Sequence, residues 1–362
     1  MQTLLFILVL GVLIFVHEMG HFLFAKLFGV RVDEFGFGYP PRLTKLFRWK
    51  GTDFTLNWIP FGGFVKIFGE QDEGEELSAE EKAVALNHQA IWKQILVMLG
   101  GILFNILFAW IIFSGILFFT KGEVPVSTAP EGYHFDTTRL VIVHVEEGMP
   151  AAESGIQLGD EIKEYYSGDD HVIPQGDTQE FSQFIQKHKG SDIGVIVYRD
   201  GKLKDIHLTP EESEGGEKYL VGVSLTRMGE VQLGLLDSLR YGAEETFHIL
   251  KEIVKGFYQL VTGKLSPEAV SGPVGIVKQI GDAAQFGWVY LLSFTALLSL
   301  NLAVLNLIPF PALDGGRIFI LLIEGITRRK IKPEVVAWIH TIGFFILIAL
   351  MIFITYRDIV NW

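Results

Sequence analysis

The stretch LLFILVLGVLIFVHEMGHFLFAKL, residues 4–27, places ionisable side chains inside a long apolar run. About 20 mostly apolar residues are enough to cross the hydrocarbon of a bilayer as a helix, so this run predicts a membrane-spanning helix. His17, Glu18 and His21 lie in its second half. Each such group inside a membrane costs roughly 2.5 to 3.5 kcal/mol, and those that occur there usually have a function. The run therefore predicts a membrane protein with a chemical site in its first span.

The same three residues form the pattern His-Glu-x-x-His at positions 17–21. Residues four apart on a helix share one face, so both imidazoles can bind one zinc ion, with Glu18 placed to accept a proton from the attacking water. The chain has no cysteine, so a metal must be held by His, Asp or Glu. The alternative reading of His17 and His21 is a polar helix face without metal.

A third zinc ligand must come from elsewhere, because catalytic zinc takes three protein ligands. Asp314 is the best candidate, since Pro309 and Pro311 break the helix just before it. Broken helix at membrane depth is tolerated only when it is buried in protein or lines a wet cavity. Gly315 and Gly316 would let the chain turn tightly beside the ligand. The alternative is an Asp that merely ends a helix near the membrane surface.

Three further apolar runs cover residues 91–119, 288–308 and 335–354, which predicts an α-helical polytopic membrane protein with about four spans. Lys and Arg gather between the first two spans and between the last two. This bias predicts that both connections lie in the cytoplasm and that the termini and the globular middle lie outside. The first run lacks a basic n-region and a cleavage site, so we expect it to be retained.

Composition and charge limit the class of protein and its partners. Hydrophobic residues make up 49% of the 362 residues, which is high for a soluble protein. The net charge of −12 argues against a nucleic-acid partner, and the acidic run at residues 70–81 is expected to be a solvated cytoplasmic loop. We predict four regions: a membrane half at 1–120, a globular domain at 121–230, a connector at 231–287 and a second membrane half at 288–362.

Local patterns predict structure between the spans. Residues 52–68 favour strands bent at Gly62 and Gly63, and residues 34–40 favour an earlier strand and loop. Residues 139–145 are β-branched and favour a strand. Apolar residues at three-four spacing over 236–261 predict an amphipathic helix. This helix would either lie on the outer leaflet and gate access to the core, or pack on the globular domain.

Four separated motifs resemble those of one family. They are HEMGH (17–21), FGGFVK (61–66), SGPVG (271–275), and NLA (301–303) running into NLIPFPALDGG (306–316). Together they resemble the site-2 proteases, intramembrane zinc metalloproteases, and in particular the bacterial RseP-type members with a single PDZ domain. The resemblance covers nearly the whole chain. One departure is GILFN (101–105), which lacks the proline that is common at its second position.

The resemblance implies roles for individual residues. The zinc ligands would be His17, His21 and Asp314, the catalytic glutamate Glu18, and the asparagine that holds the substrate Asn306. It also implies a re-entrant β-hairpin beside the active site, whose edge would bind an extended substrate through Gly62, Gly63 and Phe64. The alternative is a small soluble hairpin packed under the helices. For Asn105 and Asn301 we favour hydrogen bonds between helices.

The globular middle resembles a PDZ domain of the protease-associated type. Its marks are MPAAESGIQLGDEI at residues 149–162, where a Pro-Ala turn opens a short helix and a Gly-Asp turn leads into a strand. Such a domain could capture extended peptides. It could also be a size filter that excludes substrates with an untrimmed outer domain, which we favour. We assign no metal to His144, His171 or His207.

The sequence thus predicts a zinc endopeptidase that cleaves single-span membrane proteins near the cytoplasmic end of their helix. Anti-sigma factors and signal-peptide remnants are the substrate types that the resemblance implies, in the bacterial inner membrane. The alternative is a non-catalytic membrane receptor or scaffold that binds partners through its PDZ domain. Glu18 argues against that alternative, because a binding module needs no base. An ion transporter is disfavoured, because about four spans show no inverted repeat.

Overall fold

Long helices carry the apolar runs, and strands and shorter helices lie between them. The computed structural model describes residues 2–70, 77–120, 123–125, 137–146, 148–174, 177–199, 201–213, 218–230, 233–264, 271–285 and 287–360. The helices are α1 (Gln2–Leu27), α2 (Ala79–Val84), α3 (Ile91–Phe119), α4 (Pro150–Glu153), α5 (Thr178–Lys187), α6 (Leu235–Val261), α7 (Pro273–Gln285), α8 (Trp288–Leu307), α9 (Asp314–Thr327) and α10 (Pro333–Val360). The strands are β1 (Val32–Trp49), β2 (Thr52–Ile67), β3 (Glu123–Pro125), β4 (Thr137–Val145), β5 (Glu161–Ser167), β6 (Asp170–Val172), β7 (Ile193–Arg199), β8 (Lys202–Leu208), β9 (Glu211–Glu212), β10 (Tyr219–Leu220) and β11 (Val223–Glu230).

Among the described residues, four helices are long and apolar enough to cross a membrane, namely α1, α3, α8 and α10. This confirms the number of apolar helices that the sequence predicts. The chain divides into two compact units, one of residues 1–114 with 239–362 and one of residues 115–238. All four candidate spans fall wholly or largely in the first unit.

Helices α1 and α3 cross where glycine faces glycine. A Cβ added at Gly100 would lie 2.7 Å from the carbonyl oxygen of Gly20, and one added at Gly20 would meet the carbonyl of Gly100. Small residues of this kind allow two membrane helices to pack backbone against backbone. Phe22 and Val97 are buried beside this crossing and share a core cluster with Ala303 of α8. This close approach brings the histidine face of α1 against α3.

Strands β1 and β2 form a small antiparallel sheet whose segments pair more than once. Residues 34–37 pair with residues 53–56 on one side and with residues 63–66 on the other, while residues 42–49 pair with residues 52–57. The order across the sheet is therefore 42–49, 52–57, 34–37, 63–66, and the last segment has one free edge within this sheet.

The hairpin turn between β1 and β2 lies at Lys50 and Gly51, both at positive φ. The predicted bend at Gly62 and Gly63 falls inside β2, where the strand changes partners. The predicted strand and loop at residues 34–40 is in fact part of the longer strand β1. The local sequence pattern does not reveal the longer strand, because the segments that pair with it come from different parts of the hairpin.

The SGPVG motif begins helix α7 and is capped by a carboxylate from α10. Asp358 accepts hydrogen bonds from the backbone N–H groups of Gly272 (3.2 Å) and Gly275 (2.9 Å). A Cβ at Gly275 would lie 3.3 Å from this carboxylate, so the glycine leaves room for it. The first amides of a helix have no partner within the helix, and an acidic side chain satisfies them.

Helix α6 packs by part of its apolar face on α3 and α8. Its residues Ile249, Leu250 and Ile253 contact a cluster that contains Ala109 of α3 and Ala296 of α8. Trp110 also donates a hydrogen bond from its indole N–H to the carbonyl of Leu239, over 2.7 Å. Packing on α3 and α8 was neither of the two placements that the sequence suggested.

The second unit is built on an antiparallel sheet. Its strand order is β3-β11-β4-β5-β7-β8, and β6 pairs with β5. Asp177 caps the N-terminus of helix α5, and its side chain accepts a hydrogen bond from the N–H of Gln179. Its Phe181 and Phe184 pack on Tyr165 of β5, with ring centroids 5.0 and 4.8 Å apart. The short helix α4 and the strand β5 lie where the sequence predicts a helix and a strand.

Candidate metal centre

The pattern at residues 17–21 lies on helix α1, which places His17 and His21 on one face. The two side chains are buried, at 8% and 5% exposure. Their Nε2 atoms are 3.1 Å apart, and their rings meet edge to face at 85°. The i, i+4 spacing thus brings two imidazole nitrogens to one point.

Asp314 completes the cluster from the first residue of α9. Its Oδ2 lies 3.0 Å from the Nε2 of His17 and 3.4 Å from the Nε2 of His21. Among the described residues, these three form the one group of His, Asp and Glu side chains whose ligand atoms all lie within 4.8 Å of one another. Asp314 lies almost 300 positions after the two histidines in the sequence, and the fold brings the three residues together.

The donor set fits zinc. The Nδ1 of His21 lies 2.8 Å from the carbonyl oxygen of Val97, so this nitrogen must donate and the lone pair of Nε2 faces the cluster. The buried Oδ2 of Asp314 lacks a hydrogen-bond donor among the described residues. With metal–ligand distances of about 2.0–2.1 Å, the edges of a tetrahedral zinc site are roughly 3.3 Å, close to the three separations seen here. With both imidazoles neutral and their Nδ1 atoms protonated, two nitrogen lone pairs and a carboxylate oxygen would converge on one point, which is the donor set of a zinc site.

Gly101 of α3 makes the space for the imidazoles. A Cβ at this position would lie 2.5 Å from the Nε2 of His21 and 2.7 Å from the Cε1 of His17. Real Cβ atoms do not approach so closely, so the helix needs glycine here. The sequence departs from the family pattern at the next residue, Ile102, which is buried in the core between the helices.

The loop before Asp314 folds tightly, but the two glycines that follow Asp314 do not make this turn. Ala312 is the residue with positive φ (+76°), whereas Gly315 and Gly316 lie in the first turn of α9. A Cβ at Gly316 would meet the carbonyl of Phe310 and lie 3.1 Å from the nitrogen of Pro311. The glycines are therefore needed because the loop folds back onto the helix, and not for the turn that the sequence suggested.

Glu18 is half-buried and lies between the histidines in sequence. The backbone N–H of Val65 in β2 lies next to its carboxylate. Val65 belongs to the outermost segment of the small sheet, so the free edge of that segment faces the glutamate. Gly62, Gly63 and Phe64 precede Val65 in the same strand, which places this segment next to α1.

Asn105 contacts the metal cluster, although the sequence favoured a purely structural role. The residue is fully buried, and its amide lies 3.2 Å from the Nδ1 of His17. If the Nε2 of His17 holds a metal, its Nδ1 carries a proton and needs an acceptor. A rotation of the amide by 180° supplies Oδ1 as that acceptor, since the two amide ends differ only in the assignment of oxygen and nitrogen. Gly101 and Asn105 are four residues apart on α3, a spacing that could have revealed the shared face.

The other two asparagines differ from each other. Asn301 donates to the carbonyl of Leu297 in its own helix, over 3.0 Å, which agrees with the structural reading. Asn306 is half-buried in the last turn of α8, and its side chain makes no hydrogen bond to any other described residue. Its amide is therefore available to another molecule.

The histidines of the second unit have other partners. His171 lies 2.6 Å from Glu164, and His207 lies 2.7 Å from Asp192. The hydrogen bond to Asp192 raises the pKa of His207. His144 lines a groove with residues of α5 and β11.

Comparisons with known proteins agree with the chemistry of this cluster. A relative from Clostridium perfringens with a zinc metalloprotease name is 35% identical over 364 residues, covering 99% of both chains. Zinc metalloprotease RasP of Oceanobacillus iheyensis is 28% identical, covering 98% of this chain and 97% of its own. Regulator of sigma E protease of Haemophilus influenzae is 29% identical with the same coverage.

One solved structure and one family model also match. The PDZ domain of an SdrC-like protein from Listeria monocytogenes is 21% identical and covers 26% of this chain and 90% of its own, at a TM-score of 0.21. The model of peptidase family M50 matches residues 5–350, nearly the whole chain. The chain belongs to peptidase family M50, the site-2 proteases, and is a zinc metalloprotease.

Proposed function

We propose that this protease hydrolyses a peptide bond in single-span membrane proteins, within or near the cytoplasmic end of the substrate's helix. The observation that carries the proposal is the convergence of His17, His21 and Asp314 on one point beside Glu18, on helices that are apolar enough to lie in a bilayer. Bound zinc would supply Lewis-acid chemistry, polarising the scissile carbonyl and making water more acidic. The three side chains would hold it.

Glu18 is the proposed general base and acid. It accepts the proton of the attacking water and then returns it to the leaving amine. Its carboxylate lies next to the backbone N–H of Val65 in the strand, within the same helix turn as both histidines. This position gives the glutamate a role that a receptor or scaffold would not need.

The substrate would bind as an added strand. A helix hides its peptide bonds in its own hydrogen bonds, so the enzyme must hold its substrate extended. The free edge of residues 63–66 faces Glu18, and Gly62 and Gly63 carry no side chain that would block an approaching backbone. Phe64 would pack on the substrate, and the unpartnered amide of Asn306 would bind its backbone. This geometry supports the hairpin edge as the substrate site.

The charge of the connections between spans and the family of the chain support a proposal for the location of the metal site and for the substrates. The basic connections of residues 28–90 and 328–332 support a metal site near the cytoplasmic face of a bacterial inner membrane. The inserted region at 121–230 would then lie outside as a PDZ domain that excludes substrates with a large outer domain. Anti-sigma factors and signal-peptide remnants are substrates with the required single span. The four regions predicted from the sequence remain our proposed domain division.

The test uses purified full-length chain in detergent with tagged single-span substrates, each with an intact or a trimmed outer domain. Glu18→Gln should lower the cleavage rate by about 10²–10⁴-fold and keep its zinc, because the base is lost and the ligands are not. Asp314→Asn should lose tight zinc binding. Glu334→Gln, an exposed glutamate of α10, is the matched control and should cleave as the parent does. Cleavage by Glu18→Gln at the parent rate would falsify the proposal.

A further inference from the structure

Helix α10 contacts the rest of its unit mainly at two places, although it is a long apolar helix. Of its residues, all of which the structure describes, Gly343 alone is buried. One contact is with the loop that leads to Asp314. The other is the cap that Asp358 forms on α7 at the far end of the helix.

Gly343 lies against Pro311. A Cβ added at Gly343 would lie 2.7 Å from the carbonyl oxygen of Pro311 and would also meet its ring. The backbone of the loop is thus in direct contact with the backbone of α10. Any side chain at position 343 would push Pro311 away from α10. Pro311 lies only three residues before the metal ligand Asp314.

His340 lies one turn before Gly343 and contacts the next residue of the loop. Its Nδ1 accepts a hydrogen bond of 3.2 Å from the backbone N–H of Ala312. Ala312 has a φ of +76°, which a residue with a Cβ adopts rarely and only when its surroundings hold it. An N–H group away from water must also find an acceptor, and His340 supplies it.

The other side of the loop rests on α9. Gly315 and Gly316 allow the carbonyls of the loop to approach the first turn of that helix. The loop is therefore held between α9 and α10, with Ala312 as its constrained residue two positions before Asp314. A metal ligand needs such support, because residues that fix a ligand's orientation contribute to metal affinity.

We propose that His340 and Gly343 are positioning residues for Asp314: they brace the ligand loop so that its carboxylate meets the two histidines. The inference rests on the proposed ligand set. It gives α10 a role in metal binding, although neither residue reaches the cluster. His340 acts through the Ala312 N–H, and Gly343 acts by letting Pro311 approach.

The experiment measures zinc affinity, by competition with a fluorescent chelator, for the full-length chain in detergent. His340→Leu removes the acceptor, and Gly343→Ala adds the obstructing Cβ. Each should weaken zinc binding by about tenfold, the lower range for residues that orient metal ligands. His340→Asn should restore the affinity, because its Oδ1 can occupy the position of the imidazole Nδ1.

Two controls separate positioning from general damage. Gly325→Ala in α9 adds a Cβ whose nearest neighbour would be 3.7 Å away, so it should not change zinc affinity. Asp358→Asn weakens the cap on α7 and should lower the melting temperature without changing zinc affinity. If Gly343→Ala does not fold, the comparison of His340→Leu with His340→Asn decides alone.

The outcomes distinguish this inference from the ligand set on which it rests. If Asp314→Asn loses tight zinc binding while His340→Leu and Gly343→Ala keep the parent affinity, the positioning role is wrong and the ligand set stands. If Asp314→Asn also binds zinc as tightly as the parent, the ligand set itself fails. Equal weakening in His340→Leu and His340→Asn would also overturn the proposal, because the acceptor would then be irrelevant.

Discussion

At the scale of single residues, the tautomers of the two histidines depend on neighbours in α3. The backbone carbonyl of Val97 fixes the tautomer of His21, and a substitution of the Val97 side chain would not remove this acceptor. His17 depends on the side chain of Asn105 instead. A buried imidazole that binds metal through one nitrogen must donate from the other, so the loss of that acceptor leaves a buried N–H without a partner.

We therefore predict that Asn105→Leu weakens zinc binding by about 10–100-fold, the usual range for a lost partner of a metal-binding histidine. The measurement is zinc competition with a fluorescent chelator. Asn301→Leu is the matched control, because Asn301 bonds only to a carbonyl of its own helix. Equal zinc affinities of the two variants would show that the amide of Asn105 does not orient His17.

The ligand residues could be predicted from the sequence, whereas their supports could not. His17 and His21 stand at a local spacing that fixes a shared helix face, and Asp314 stands after a proline-broken helix. The spacing of Gly101 and Asn105 shows at most a shared helix face, and His340 has no such pattern, because the contacts of Asn105 and His340 cross 88 and 28 positions of the chain. Only the packing of α3 and α10 brings them to the site.

At the scale of elements, an ion pair joins the small sheet to the ligand helix. Arg317 lies one turn after Asp314 in α9, and its guanidinium donates to the carboxylate of Glu70 over 2.6 Å and to the backbone carbonyl of the same residue. Glu70 follows β2 by three residues. The strand that faces Glu18 and the helix that carries Asp314 are thus fastened together.

Arg317→Lys should destabilise the chain by about 1–2 kcal/mol, because an ammonium group cannot reach the side-chain and backbone oxygens of Glu70 with the geometry of the two guanidinium nitrogens. Thermal unfolding in detergent measures this loss, and hydrogen exchange of residues 63–67 should become faster. The matched control is Arg329→Lys, whose side chain is exposed. An unchanged melting temperature and unchanged exchange in Arg317→Lys would contradict the fastening role.

The acidic run at residues 70–81 is only partly the solvated loop that its charge predicts. Glu70 is bound by Arg317, and residues 79–84 form the helix α2, while residues 71–76 lie outside the described part of the chain. Helices α7 and α9 were also not predicted. Both are shorter than a span, and α9 follows directly on a proline-rich loop, so neither hydropathy nor a clear periodic pattern marks them.

At the scale of the whole molecule, the proposed zinc ligands and all their supports lie in the unit of residues 1–114 and 239–362. The unit of residues 115–238 has a core of its own, formed by its sheet and α5. The zinc affinity should therefore not depend on how residues 115–238 pack among themselves. In the sequence, the long apolar runs lie near both ends and around residue 100, whereas residues 121–230 have the composition of an ordinary globular domain.

A buried ion pair in the second unit allows this independence to be tested. Asp160 is fully buried and receives two hydrogen bonds of 2.6 Å from Arg199, which also donates to the carbonyl of Gly155. Asp160 accepts a further bond from the N–H of Gln157. Asp160→Ala should destabilise the unit by about 3–5 kcal/mol, because it leaves a buried guanidinium without its carboxylate.

Hydrogen exchange should then become faster across residues 137–230 while residues 2–27 keep their protection and the chain keeps its zinc. Asp192→Ala is the control, since it removes only an exposed pair with His207, worth less than about 1 kcal/mol. If Asp160→Ala releases zinc together with the loss of protection in the second unit, the two units are coupled and the metal site depends on both. If hydrogen exchange does not change at all, the ion pair of Asp160 does not stabilise the second unit. The stability of that unit then comes from its apolar core.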